Sequence, residues 1–343
     1  MSQRCGITGR GHAVPAGVRS NTDPVFAWLN ANDPNYAQYF NGYDQRHVLA
    51  PGEEFCDLMV NAGQQALQMA NLKPGDVELL LGYASVSEFI MPNELARVHE
   101  RLGLSERCWV LPVNTEYSNF NASLVFADAL IRGGQAGNAL VVCGGNWSRH
   151  VNYHVGAAAS AADGAGAAVM QRTGDESTFR VVDFETLTQT AGAWGHMSMS
   201  SQRLGTPPLD VVSTPALGGA LPDTGLFSQP YFHIDSTGMG EFKNFGVTGP
   251  VTVAQRLLQR NALPASQVTL ICHQTSRYLL DQWNQQIGPH KLIETLSRFA
   301  NMTVANIPLN LSFAYPQIET DHLVLLSIGT DLHSNAVLLR RNG

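Results

Sequence analysis

His273, Asn301 and five scattered cysteines are the first places where this 343-residue chain could do chemistry. His273 directly follows the apolar run Val268 to Cys272 and opens the polar string Gln274-Thr275-Ser276-Arg277. The carboxyl end of a buried strand is where α/β sheets deliver side chains to ligands, so this imidazole reads as a donor or proton carrier, or else as a packed structural histidine. Asn301, in Arg298-Phe299-Ala300-Asn301-Met302-Thr303, reads as a second donor or as a turn former. His150 and His154 have i,i+4 spacing, but no third ligand lies beside them, so no metal site is expected. Cys5, Cys56, Cys108, Cys143 and Cys272 are odd in number and form no CxxC pair, which suggests neither a disulfide framework nor a zinc site. Cys143 in ALVVCGG and Cys272 in VTLICHQ read as small buried hydrophobes.

The elements that must carry these residues are short apolar runs bounded by turn residues. Val77 to Ala84, Ala139 to Cys143, Val268 to Cys272 and Leu323 to Ser327 lack alternation and read as buried strands. Between them Asp57 to Ala70 and Ser118 to Ile131 carry apolar residues at helical spacing. Strand and helix alternate, so the class is α/β. The chain also repeats itself: the segment from Ala66 to Pro74 running into Asp76 to Ser85 has the register of Leu257 to Pro264 running into Gln267 to Ser276. Two copies are too few for a solenoid, so the expectation is two similar halves, 1–172 and 173–343, with a site where they meet. Gly156 to Ala168 reads as a packed turn and strand, whereas Thr188 to Ser201 and Thr206 to Pro222 read as loops or a lid.

Composition narrows the function. Lys+Arg 21 against Asp+Glu 28 gives a net charge of −7, and no basic cluster is present, so neither nucleic acid nor anionic lipid is an expected partner. A hydrophobic share of 44% excludes intrinsic disorder. With no signal-like start and no apolar run long enough to span a bilayer, a cytoplasmic protein is expected.

Several motifs in order resemble the β-ketoacyl-ACP synthase III branch of the thiolase superfamily. These are Gly9 to Pro15, Gly42-Tyr43-Asp44-Gln45-Arg46-His47, the DGAGAAV string Asp163 to Val169, His273-Gln274, and Asn301 to Pro308. The resemblance implies a layered αβαβα fold of two duplicated halves, a homodimer, and an acyl-CoA or acyl carrier protein thioester as substrate rather than any bound cofactor. It casts His273 and Asn301 as the pair holding a thioester carbonyl, and places Arg46, Arg149, Lys243 and Ser276 near the substrate.

The same resemblance exposes a departure. The family's nucleophilic cysteine precedes the helix ending Ala127-Asp128-Ala129-Leu130-Ile131, and counting back lands on Tyr117. A phenol with pKa near 10 is a poor acyl acceptor, so ping-pong transfer through a cysteine is not expected. Glu116 as a base and Ser118 as a nucleophile, one helical step away, stay open. The family's glycine-rich oxyanion loop reads Ser327 to Leu332, with Asp331 an unwelcome carboxylate beside a developing oxyanion, and Ser276 replaces an asparagine. The expected function is an acyl-thioester transferase or condensing-type enzyme of fatty-acid or polyketide-like metabolism working without a cysteinyl intermediate. The alternative is a silent partner subunit of a cysteine-bearing paralogue.

Overall fold

A computed structural model describes residues 4–89, 91–191, 195–200 and 231–341. The chain forms β1 (Arg4–Ala13), β2 (Val18–Ser20), α1 (Ala27–Asn32), β3 (Gln45–His47), α2 (Phe55–Met69), β4 (Leu79–Ser85), α3 (Leu95–Leu102), β5 (Trp109–Pro112), α4 (Asn119–Arg132), β6 (Asn138–Gly145) and β7 (Gly164–Thr173). It continues through β8 (Phe179–Thr188), β9 (Met197–Ser200), β10 (Tyr231–Ile234), α5 (Ser236–Arg260), β11 (Val268–Cys272), α6 (Arg277–Ile287), β12 (Lys291–Ile293), α7 (Leu296–Phe299), α8 (Asn306–Phe313), β13 (His322–Ile328) and β14 (His333–Arg341).

The duplication seen in the sequence is explicit in the sheets. One has the order β1-β7-β6-β4-β5 and the other β8-β14-β13-β11-β12. In each, the first two pairings are antiparallel and the last two parallel. The central strands are buried along most of their length, as continuous apolar runs between two helical layers must be. Helices α4 and α8 touch strands of both sheets, whereas α2 packs outside the first sheet and α5 outside the second. That is the αβαβα layering expected. The middle core joins Phe120, Leu124 and Ile131 of α4 to Ile307 and Leu311 of α8 and to Val141 and Leu325 from the two sheets.

Local chemistry explains why the central layer closes. Asp163 is fully buried, its carboxylate accepting from Ser148 N at 3.0 Å and Leu49 N at 2.8 Å. Burial raises its pKa and these donors oppose the rise. A Cβ on Gly166 would stand 2.5 Å from the Leu309 amide nitrogen, so glycine is what lets β7 approach α8. The DGAGAAV string is therefore a packing device.

Strand Val268–Cys272 matches its expected range, Ala139 to Cys143 and Leu323 to Ser327 lie inside the longer strands β6 and β13, and β4 starts and ends slightly later than Val77 to Ala84. Gly156 to Ala168 forms a short 3₁₀ turn and then β7. Thr188 to Ser201 is not wholly loop, because Met197–Ser200 pairs with Tyr231–Ile234; Thr206 to Pro222 lies outside the described residues.

Candidate active site

Strand β11 ends at Cys272 and delivers His273 into the region between the halves, where its backbone N–H donates to Leu326 O at 2.8 Å. The ring has no solvent exposure, and burial holds its pKa down at about 3, with the nearby Thr303 backbone opposing the shift. It is therefore a neutral imidazole at physiological pH. Asn306 Nδ2 lies 3.3 Å from its Nδ1 and also donates to Gln274 O at 3.1 Å and to Asn301 Oδ1 at 3.0 Å. Nε2 has no hydrogen-bond partner among the described residues. In the tautomer whose Nδ1 accepts from Asn306, Nε2 carries the hydrogen and makes no hydrogen bond within the described residues.

The Tyr117 ring stacks on His273 at 5.0 Å and 4°. Both rings line a cleft, together with Phe242, Thr275, Gly329 and Leu332. Burial, and the neighbouring Glu116 charge, raise the Tyr117 phenol above its usual range. Glu116 is itself raised, by burial and by Asp331, against the opposing effects of His333 and Asn114. Asn301 makes no direct hydrogen bond to His273 among the described residues but is tied to it through Asn306, and the described cleft lining does not include it. Its Oδ1 also accepts from Thr303 N at 2.9 Å, and its Nδ2 lies 3.5 Å from Ser160 Oγ.

Next along the chain from Tyr117 is a constellation that sequence reasoning missed. Ser118 Oγ lies 2.6 Å from His333 Nε2, and His333 Nδ1 is hydrogen-bonded to the Asp331 carboxylate. Burial pushes Asp331 up, but the hydrogen bond and charge pairing with His333 outweigh it and hold the carboxyl below its usual range. Asp331 therefore serves His333, which corrects its reading as an unwelcome neighbour of an oxyanion. The one sequence signal was an Asp-x-His string at the start of the last strand; its partner Ser118 is 215 positions away.

Two residues expected at the substrate are committed elsewhere. Arg46 is 3% exposed, with Nε donating to Ala159 O at 2.7 Å and Nη1 to Asn21 Oδ1 at 2.5 Å, and it packs over the Phe26 and Tyr43 rings. A guanidinium so enclosed is a structural strut. Ser276 is buried and caps α6, accepting from Leu279 N at 3.3 Å, because a helix start needs an acceptor for its free N–H groups. Arg149 donates to the Ala50 and Glu53 carbonyls, and Lys243 stays at the surface, 4.1 Å from the Tyr39 ring centroid. His154 stacks on Trp28 at 4.1 Å, and no group of three metal-ligating side chains occurs among the described residues. All five cysteines are buried. Burial raises Cys56 and Cys108 to about 11, and none of the five lines the described cleft.

Comparison with known proteins agrees with this architecture. Residues 112–190 match the family model of 3-oxoacyl-[acyl-carrier-protein (ACP)] synthase III. A β-ketoacyl-[acyl-carrier-protein] synthase III of Cereibacter sphaeroides is 28% identical over 347 residues, covering 99% of this chain and 100% of its own. One from Neisseria meningitidis is 26% identical, covering 97% and 98%. The crystal structure of the Pseudomonas aeruginosa 3-oxoacyl-(acyl carrier protein) synthase III superposes with a TM-score of 0.77 at 26% identity over 99% of both chains. The priming β-ketosynthase of the R1128 polyketide pathway shares the fold, with a TM-score of 0.81 at 17% identity over 99% of this chain and 97% of its own.

Proposed function

We propose that this chain, a synthase III-like condensing enzyme of the thiolase superfamily, transfers or condenses acyl groups presented as CoA or carrier-protein thioesters, and does so without a cysteinyl intermediate. The observation that carries this reading is His273: a neutral, buried imidazole whose Nε2 has no partner among the described residues, on a cleft where the ring stacks on a tyrosine and no cysteine is present. An unsatisfied buried polar atom is costly unless a ligand completes it. A thioester carbonyl oxygen is an acceptor of the required kind, and the hydrogen bond strengthens as negative charge collects there. Asn306 anchors the other face of the ring and ties it to Asn301, so Asn301 acts in this reading through position rather than by touching the substrate.

The thiols fit a minor role. A cysteine attacks as its thiolate, and burial that raises Cys108 to about 11 leaves very little thiolate at neutral pH. The Tyr117 hydroxyl is held protonated by burial and by Glu116, so its ring is read as the wall against which an acyl chain packs. The CoA or phosphopantetheine arm is part of the substrate, and a carrier protein as partner is proposed because the relatives are acyl-carrier-protein synthases by name.

The test is to incubate the protein with acyl-CoA, malonyl-CoA and carrier-bound acyl thioesters while following free thiol and acyl products. Thioester consumption that falls in His273→Ala supports the reading. Absence of both binding and consumption across the panel would remove it.

A further inference from the structure

We propose that Ser118, His333 and Asp331 form a catalytic triad in which Ser118 Oγ accepts the acyl group as an oxyester, an inference that rests on the thioester reading above for its substrate class. Three observations carry it. The first is connectivity: Ser118 Oγ to His333 Nε2 at 2.6 Å, and His333 Nδ1 to Asp331 Oδ1, is the order nucleophile, base, orienting carboxylate. With Asp331 ionised, Nδ1 donates to it and the Nε2 lone pair is left for the serine proton.

The second is what Ser118 does not do. It occupies the N-cap of α4, where a serine hydroxyl ordinarily accepts from a first-turn N–H, yet it makes no side-chain cap bond. The hydroxyl is turned instead to His333 and to Ser327 Oγ, 2.6 Å away. When Ser118 donates to His333, the single Ser327 hydroxyl hydrogen is shared between Ser118 Oγ and the Asn335 carbonyl, 3.2 Å away.

The third is the backbone. Glu116 and Tyr117 both have positive φ, at 29° and 55°, immediately before Ser118. Two consecutive non-glycine residues in this region store strain of order 1–3 kcal/mol each. They turn the chain between β5 and α4 and set the serine at the positive end of the helix dipole. The cleft is adjacent: Tyr117 lines it, and so does Gly329, where a Cβ would fall 2.1 Å from His333 Cε1. Ser118 itself is 2% exposed, so acylation requires local opening of the neighbouring cleft wall.

The chemistry balances without another reagent. Oγ attacks the thioester carbonyl carbon as its proton passes to His333 Nε2. The C–S bond breaks, and the leaving thiolate takes that proton, giving free CoA or carrier thiol and a Ser118 oxyester. An acceptor X–H then attacks the oxyester, losing its proton to His333, which returns it to the departing Oγ.

Two probes test this on the intact protein. A fluorophosphonate reports an activated serine whatever the natural substrate, and acetyl-CoA, butyryl-CoA and malonyl-CoA report acyl transfer. Both adducts are located by peptide mass mapping. The expected result is stoichiometric modification of Ser118 by the fluorophosphonate and by at least one thioester, with the acyl adduct resistant to neutral hydroxylamine. His333→Ala should slow both by roughly 10³-fold or more. Ser118→Cys should retain acylation, now hydroxylamine-labile, which separates loss of chemistry from loss of fold. Thioester turnover with Ser118 unmodified by either probe overturns the triad and leaves the thioester reading standing. Fluorophosphonate labelling of Ser118 without acylation by any thioester keeps the triad and overturns the thioester reading.

Discussion

Replacing His273 with phenylalanine separates what this ring does in the reaction from what it does for the fold. Phenylalanine keeps a planar ring against Tyr117, where the stack of 5.0 Å and 4° is worth about 0.5–1.5 kcal/mol beyond burial. The Asn306 amide loses its 3.3 Å contact to Nδ1 but still reaches Gln274 O and Asn301 Oδ1, two acceptors for its two hydrogens. The structural cost should therefore be small, within about 1.5 kcal/mol for a swap of similar volume. The catalytic cost should not be small. Losing a preorganised donor to a developing oxyanion removes roughly 3–4 kcal/mol, or 10² to 10³ in kcat. The pH dependence gives a second, independent signature. His273 has its pKa lowered from 6.5 to about 3 in the native state, so between these values the unfolded chain binds the extra proton. Its contribution is intact above pH 6.5 and is lost as pH falls toward 3. His273→Phe should flatten that part of the wild-type Tm profile while leaving Tm at pH 7.5 nearly unchanged. Steady-state thiol release and thermal melts at matched pH would check both. A variant that keeps kcat within about threefold of wild type would refute the donor role.

Other substitutions follow from the same geometry. Tyr117→Phe should lower kcat less than about fivefold, since the hydroxyl is held protonated and the ring supplies the contact; steady-state kinetics check this. Gly329→Ala should displace the His333 ring, whose Cε1 would lie 2.1 Å from the new Cβ, and slow Ser118 acylation at least tenfold with a modest Tm loss, read by peptide mapping and melting. Arg46→Ala should cost about 3 kcal/mol or more in denaturant unfolding, because it leaves Ala159 O and Asn21 without their buried donor, and should leave the KM for thioesters unchanged in whatever protein remains folded.

What the sequence revealed and what it hid have separate causes. The run Val268 to Cys272 is unbroken and apolar because the strand is covered on both faces, and such a run announces both the strand and the His273 at its end. The duplication is legible because the same register recurs before β4 and β11. Arg46 misled because an arginine in a polar string reads as solvent-facing, whereas β3 turns it inward between the Phe26 and Tyr43 rings. Asn301 misled because Asn306, five residues on, takes the contact to His273. The triad was invisible for a topological reason: α4 belongs to the first half and β14 to the second, and only the packing of the middle layer on both sheets brings Ser118 to His333. Asp331 was noticed for its charge, but its effect depends on Leu332, whose φ of 57° bends the chain so that the carboxylate returns to its own neighbour.

The central claim is that acyl transfer here bypasses cysteine, and it is tested most directly by mapping acyl adducts during turnover. The protein is quenched in acid while consuming an isotopically labelled acyl-CoA, digested, and every peptide bearing Cys5, Cys56, Cys108, Cys143 or Cys272 is examined for the label. The account predicts unmodified cysteines and a turnover rate unchanged by prior iodoacetamide. A stoichiometric acyl thioester on any one of the five, with turnover abolished by alkylating it, would contradict it.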